Sequence, residues 1–287
     1  MSNFVSRFAR SWQLIQASCD VLRADNALLI LPALSGLATT ALTAGFFALA
    51  ISGGTTLNTI RESGSFNAPL YACLFGWYVV QYLVVIFFNT ALVGAAIALL
   101  DGNRPTLGAA LKLALSRIGS ILGYAVISAT IGVLLQALAE RLGLIGRLIE
   151  ASLGLAWTAA TFLVVPILAA EGIGPWQAIE RSTALLRKTW GENLIGNVGI
   201  SLVMSMISGA VALIGVGGSM LLFQFGHPIL GAALLTTSII TFLLIVLVAA
   251  ALSAIYAAAV YHYAVMGTPP TDFDGDLIRG AFRRKAT

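Results

Sequence analysis

The side chains that do chemistry in proteins are few in this chain and poorly placed to cooperate. There are two histidines, His227 and His262, two cysteines, Cys19 and Cys73, and twelve carboxylates. A metal site needs three or four such ligands meeting in space. His227 stands before Pro228 in a break between apolar runs, and His262 lies near the far end of the run that follows. The two are expected on opposite faces of a membrane, with Tyr261-His262-Tyr263 as an aromatic group at headgroup level. Cys19 and Cys73 are likewise expected on opposite sides, unpaired. Asp272-Phe273-Asp274-Gly275-Asp276 opens like a calcium loop, but such a loop would need glycine where Leu277 stands and a bidentate glutamate where Arg283 stands. It reads instead as a helix start, with Thr271 as cap and two aspartates complementing the dipole. Hydrolase, zinc-protease and phosphate-loop motifs do not occur. No catalytic residue, cofactor site or metal site is therefore expected. The polar groups inside apolar runs are mild: Gln81, Asn89 and Asn197. They could form a polar seam for a small neutral or lipidic solute, or simply hydrogen-bond between helices.

Composition sets the elements that must carry these groups. Only 10% of the 287 residues are charged and 59% are hydrophobic, against roughly 25% charged in ordinary soluble domains. Mean hydropathy is +0.93. A soluble particle of this size could not bury so much apolar side chain, so a water-soluble enzyme or nucleic-acid-binding module is excluded. Six runs reach the roughly 20 apolar residues that a spanning helix needs: 28–51, 70–100, 118–138, 151–170, 194–214 and 229–266. The fold class is an all-α, polytopic transmembrane bundle. A break is expected near Gly215-Val216-Gly217-Gly218 and another at His227-Pro228, with the apolar stretch 219–225 at the interface between them. Short outer loops are expected elsewhere, and Pro166 should kink the fourth span. No signal peptide or lipidation motif is expected.

With the N-terminus in the cytoplasm, 13 of the 16 basic residues fall on that side and only Arg61, Arg141 and Arg147 on the other. This positive-inside bias predicts cytoplasmic termini in the cell (inner) membrane. It explains the basic character through anionic lipid headgroups on the cytoplasmic side, without nucleic acid.

The chain also repeats itself. Trp12-Gln13-x-Ile15-x-x-Ser18-x-x-x-Leu22-Arg23 recurs with the same spacing at Trp176-Gln177, Ile179, Ser182 and Leu186-Arg187. Gly102-x-x-Pro105, Gly172-x-x-Pro175 and Gly267-x-x-Pro270 each end an apolar run and precede an amphipathic segment. Physically the glycine closes one helix and the proline opens the next. One membrane domain, 1–287, is thus divided into quasi-repeat units at about 1–105, 106–175 and 176–270, with an amphipathic tail at 271–287. Trp176, Ile179, Leu186 and Trp190 are expected along one stripe, and Trp12 on the corresponding stripe of the first unit. These tryptophans are candidate interfacial anchors. Two readings stand: the amphipathic helices bind lipid or a partner, or they pack on the span ends as elbows.

Trp157, the segment from Phe162 through Pro166 to Pro175, and Lys188-Thr189-Trp190-Gly191 together resemble an uncharacterised family of prokaryotic six-span integral membrane proteins, a domain of unknown function. The stretches 21–32 and 261–270 resemble it too. More distantly, the alternation of amphipathic helix and span is similar to the membrane domain attached to some glycerophosphodiester phosphodiesterases. The resemblance implies a six-span fold and brings no activity or site residues. The chain is accordingly expected to be non-enzymatic, a membrane scaffold or a protein that contacts lipid, a cytoplasmic partner or a second copy of itself. The alternative is a transporter or channel.

Overall fold

The structure, a computed structural model, describes residues 27–52, 68–188 and 193–266. Among these residues it is helical, with helices α1 (Ala27–Ser52), α2 (Ala68–Leu100), α3 (Leu107–Ser116), α4 (Ile118–Thr161), α5 (Val164–Ala170), α6 (Pro175–Lys188), α7 (Asn193–Gln224) and α8 (Pro228–Met266). Six segments are long and apolar enough to cross a membrane. The chain is a multi-pass helical membrane protein. α2, with 33 residues, extends about 50 Å, and α8, with 39, about 58 Å; both exceed the roughly 30 Å of hydrocarbon. The described part falls into two compact units, one made of 30–95 with 105–186, the other of 27–29, 96–104 and 187–266.

In the first unit, α1 and α2 meet through a mixed polar and aromatic seam. Gln81 Nε2 donates to Thr43 Oγ1 at 2.5 Å and to the Thr39 carbonyl at 3.3 Å. Phe46 stacks on Trp77 with centroids 5.2 Å apart. Small residues let the helices close in: a side chain at Gly94 would meet Leu113 and Ala169, and one at Gly123 would meet the Pro175 ring at 2.8 Å. The core gathers where α2, α3, α5, α6 and the start of α4 converge, with Val93, Ala114, Ile121, Leu163, Ile167, Leu168 and Ala178 almost fully buried.

The connection between the third and fourth spans is not the loop that the sequence suggested. α4 runs through both and reverses at Gly143, whose φ of 57° and ψ of −130° interrupt the helix. The flanking stretch is rich in Leu, Glu and Arg, good helix formers, so only the glycine breaks it. The arms 118–142 and 144–161 then run antiparallel. Gln136 and Glu150, equidistant from Gly143, line one cleft, and Tyr124 reaches Thr161 nearer the other end.

In the second unit, α7 and α8 form a hairpin about Phe225–His227. Gly226, at φ 78°, donates to the Phe223 carbonyl, and His227 N–H donates to that of Leu222, which closes α7. The expected break at Gly215–Gly218 is absent: α7 continues through it to Gln224, and the stretch expected at the interface forms its last turns. The glycines serve packing instead. A Cβ at Gly215 would collide with Ser238, one at Gly218 would lie 2.9 Å from Leu234, and across the pair one at Gly231 would lie 3.2 Å from Phe223. Glycine is tolerated inside a spanning helix when a neighbour packs against it.

Candidate functional site

The most constructed place among the described residues is the elbow where the fourth span ends and α6 begins. Pro166 has no N–H for the Phe162 carbonyl, and the helix breaks just before it at Leu163 (φ −96°, ψ 4°). Phe162 N–H falls back on the Ala159 carbonyl, three residues away, at 3.3 Å. The groups freed by the kink are taken up by Ser182 of α6. Its hydroxyl donates to the Ala160 carbonyl at 2.7 Å and accepts from Leu163 N–H at 3.2 Å, and the residue is 0% exposed. A single serine thus satisfies backbone on both sides of the break.

The turn from α5 into α6 follows from Gly172-Ile173-Gly174-Pro175. Gly172 has φ 65°, and its N–H returns to the Ile167 carbonyl at 3.3 Å. The Arg117 guanidinium occupies the space where a side chain at 172 would stand. Gly174 precedes the helix, Pro175 is its first residue, and Gln177 Oε1 accepts from Gly174 N–H at 3.3 Å, as the third residue of a capping box does. Arg181 Nε pairs with Glu171 Oε1 at 3.3 Å. The other elbow of this kind is simpler. Gly102, at φ 82°, donates to the Leu99 carbonyl, Asn103 N–H donates to that of Ala98, and after Pro105 the Thr106 hydroxyl accepts from Ala109 N–H at 3.2 Å to cap α3. Gly267 and Pro270 lie outside the described residues.

The apolar stripe of α6 differs from the expected one. Ala178, Ile179, Ser182, Leu185 and Leu186 are buried, whereas Trp176 is 63% exposed at the start of the helix. At 100° per residue Trp176 lies on the edge of that stripe, and Pro175 takes the inward place against Gly123. Trp12 and Trp190 lie outside the described residues. Of the repeated Trp-Gln-x-Ile-x-x-Ser-x-x-x-Leu-Arg pattern, Gln177 caps the helix, Ile179 and Leu186 are buried and Ser182 makes the kink bonds, whereas Trp176 and Arg187 are exposed.

Of the polar residues inside the spans, Gln81 and Asn89 do not meet. Gln81 is spent on α1, with its Oε1 buried and unpartnered. Asn89 lies half-buried two turns further along α2, about 12 Å away. Asn197 belongs to α7, and its side chain lies outside the described ones. His262 is not an outward belt residue: its Nε2 lies 3.3 Å from Asp101 Oδ1, and Tyr261 beside it is buried. The turn at Gly102 folds Asp101 within its reach. Among the described residues no three His, Cys, Asp or Glu gather as metal ligands. The sequence reading missed a cleft at the other end of the unit, lined by Tyr78, Gln136 and Glu150; the signal was Glu150, close to an apolar run and assigned to a loop.

Residues 68–271 match DUF6159, a family of unknown function. The chain belongs to this family. The DUF6159 match begins with α2 and takes in both elbows, the Gly143 hairpin and α8, so the Ser182-bridged kink lies inside the family region. It leaves out α1 and the stretch 21–32. No curated protein matches the chain.

Proposed function

We propose that the chain is a non-enzymatic scaffold of a prokaryotic inner membrane, with its termini and elbows on the cytoplasmic side. Its working surface is the set of amphipathic helices, which hold anionic headgroups and dock a cytoplasmic partner or a second copy. The exposure of Trp176 carries this reading. On a helix whose Ile179, Ser182 and Leu186 are buried, a tryptophan left 63% exposed beside a spanning segment suits the headgroup level. Exposed Lys112 on α3 adds attraction of about 1 kcal/mol near an anionic leaflet. The basic excess on the elbow side and the use of Gln81 in helix–helix bonding support the same view.

Trp176→Gln and Lys112→Gln test it. The full chain is purified with native lipids, and anionic lipid and co-purifying protein are measured per folded molecule. Both residues are exposed, so thermal stability should hold while anionic-lipid retention falls about fivefold for the lysine variant, the equivalent of about 1 kcal/mol. Unchanged retention and unchanged partner recovery in both variants would show that the elbow helices only pack.

A further inference from the structure

At the end of the first unit opposite the elbows, α2 and the two arms of α4 part around an open cleft of about 490 Å³. It is lined by Tyr78 and Leu135 on one side and by Ala151 and Gly154 on the other, with Gln136 and Glu150 at its mouth. A second hollow of about 560 Å³ adjoins it, shares Gln136 and Glu150, and adds Glu140 and Arg147. Some glycines of this unit are filled by neighbours, as Gly94 is by Leu113 and Gly123 by Pro175, and others, such as Gly76 and Gly119, face open space; Gly154 at the cleft is of the second kind. A Cβ at Gly154 would meet nothing within 4 Å, and one at Gly132 would only touch the ring edges of Tyr78 and Tyr82, no closer than 3.5 Å. Gly154 thus leaves the wall of the cleft between the arms open.

The depth and lining of the cleft select the ligand. Glu150 lies twenty residues from Ala170, about 30 Å along the span, so the mouth sits at the headgroup boundary of the leaflet away from the elbows. The lining grades from apolar at Leu135 and Gly154 to charged at Glu140, Arg147 and Glu150. Gln136 Nε2 donates to Glu140 Oε1 at 3.2 Å and holds that carboxylate at the rim. Two carboxylates and one guanidinium fit a headgroup bearing both an ammonium and a phosphate, and their net negative charge disfavours a purely anionic lipid. A primary ammonium has three N–H donors to offer the carboxylates, and a trimethylated one has none.

We infer that this cleft binds an aminophospholipid, with its ammonium between Glu140 and Glu150, its phosphate on Arg147 and an acyl chain along Leu135 and Gly154. The site is separate from the elbow surface and does not depend on the function proposed for it.

The full chain in detergent, titrated with phosphatidylethanolamine, phosphatidylcholine and phosphatidylglycerol of identical acyl chains, tests the inference when bound lipid is read by native mass spectrometry. The ethanolamine lipid should be retained about tenfold better than either of the others, the equivalent of about 1.4 kcal/mol from charge-assisted hydrogen bonds. The double variant Glu140→Gln/Glu150→Gln should abolish that preference, and Gly154→Leu should fill the cleft and lower retention of the ethanolamine lipid. Glu140 is exposed and Glu150 half-buried, so the carboxamide pair is read even if the leucine variant fails to fold. Equal retention of the three lipids, a preference for the glycerol lipid, or an undiminished ethanolamine preference in the carboxamide variant overturns the inference. So does displacement of the lipid by equimolar phosphoethanolamine, which would assign the site to a soluble amine phosphate.

Discussion

Replacing Ser182 with alanine removes one hydroxyl and leaves two backbone groups without a partner. In the native elbow that hydroxyl donates to the Ala160 carbonyl at 2.7 Å and accepts from Leu163 N–H at 3.2 Å, at a site closed to solvent. A buried backbone group deprived of its partner costs about 1–3 kcal/mol. Side-chain bonds within membrane proteins average only about 0.6 kcal/mol, because the unfolded chain in the membrane also finds partners. For two groups at a break that Pro166 prevents from re-forming regular helix, the cost works out at about 2–3 kcal/mol. Reversible unfolding in mixed micelles measures it, with Thr183→Ala as the control, since the Thr183 hydroxyl only returns to the Glu180 carbonyl of its own helix. The control should change stability by less than about 0.5 kcal/mol. The mechanism also predicts coupling. Pro166→Ala restores an N–H that can pair with the Phe162 carbonyl, so the helix can regularise and the loss of Ser182 should cost less than about 1 kcal/mol in that background. Ser182→Ala within about 0.5 kcal/mol of the wild type, or the same cost with and without Pro166, would refute the idea that the serine exists to satisfy the kink.

Two further substitutions probe positions where only glycine fits. Gly172→Ala must hold an L-residue at φ 65° and displace the Arg117 guanidinium, so it should cost more than about 1–2 kcal/mol in the same unfolding assay, and adding Arg117→Ala should recover the steric part but not the backbone part. Gly215→Val drives a branched side chain into Ser238 and should destabilise by about 1–3 kcal/mol, whereas the same change at Gly217, which has open space around it, should cost under about 1 kcal/mol.

The spans were legible because membrane solubility writes them in long apolar runs that little else can imitate. The kink at Pro166 was legible for a similar reason: a missing N–H has one local consequence. Glycine was read less well, because the same residue can reverse a helix, pack one against a neighbour or sit in a continuous helix facing open space, as Gly217 does. Gly143 did the first where a whole loop was expected, and Gly215 and Gly218 did the second where a break was expected. The repeat pointed to Ser182 and Gln177 as meaningful without saying how, since a bond to the Ala160 carbonyl or a cap at Gly174 depends on tertiary placement. Helical periodicity put Trp176 in line with Ile179 and Leu186, but the buried arc is centred on Ser182 and takes in Pro175, which packs on Gly123, and that centre is set by tertiary contact. The cleft at Glu150 was hidden because its residues come from three helical segments far apart in sequence.

The proposed orientation, six spans with the elbows facing the cytoplasm, is tested by single-cysteine labelling in intact cells, in a background with Cys19 and Cys73 replaced by serine. Glu140→Cys places the thiol at an exposed position near the hairpin turn, and Glu180→Cys at an exposed position on the elbow helix. With a membrane-impermeant maleimide, position 140 should label in intact cells and position 180 only after permeabilisation. Labelling of both from the same side, or of position 180 alone in intact cells, would contradict the account.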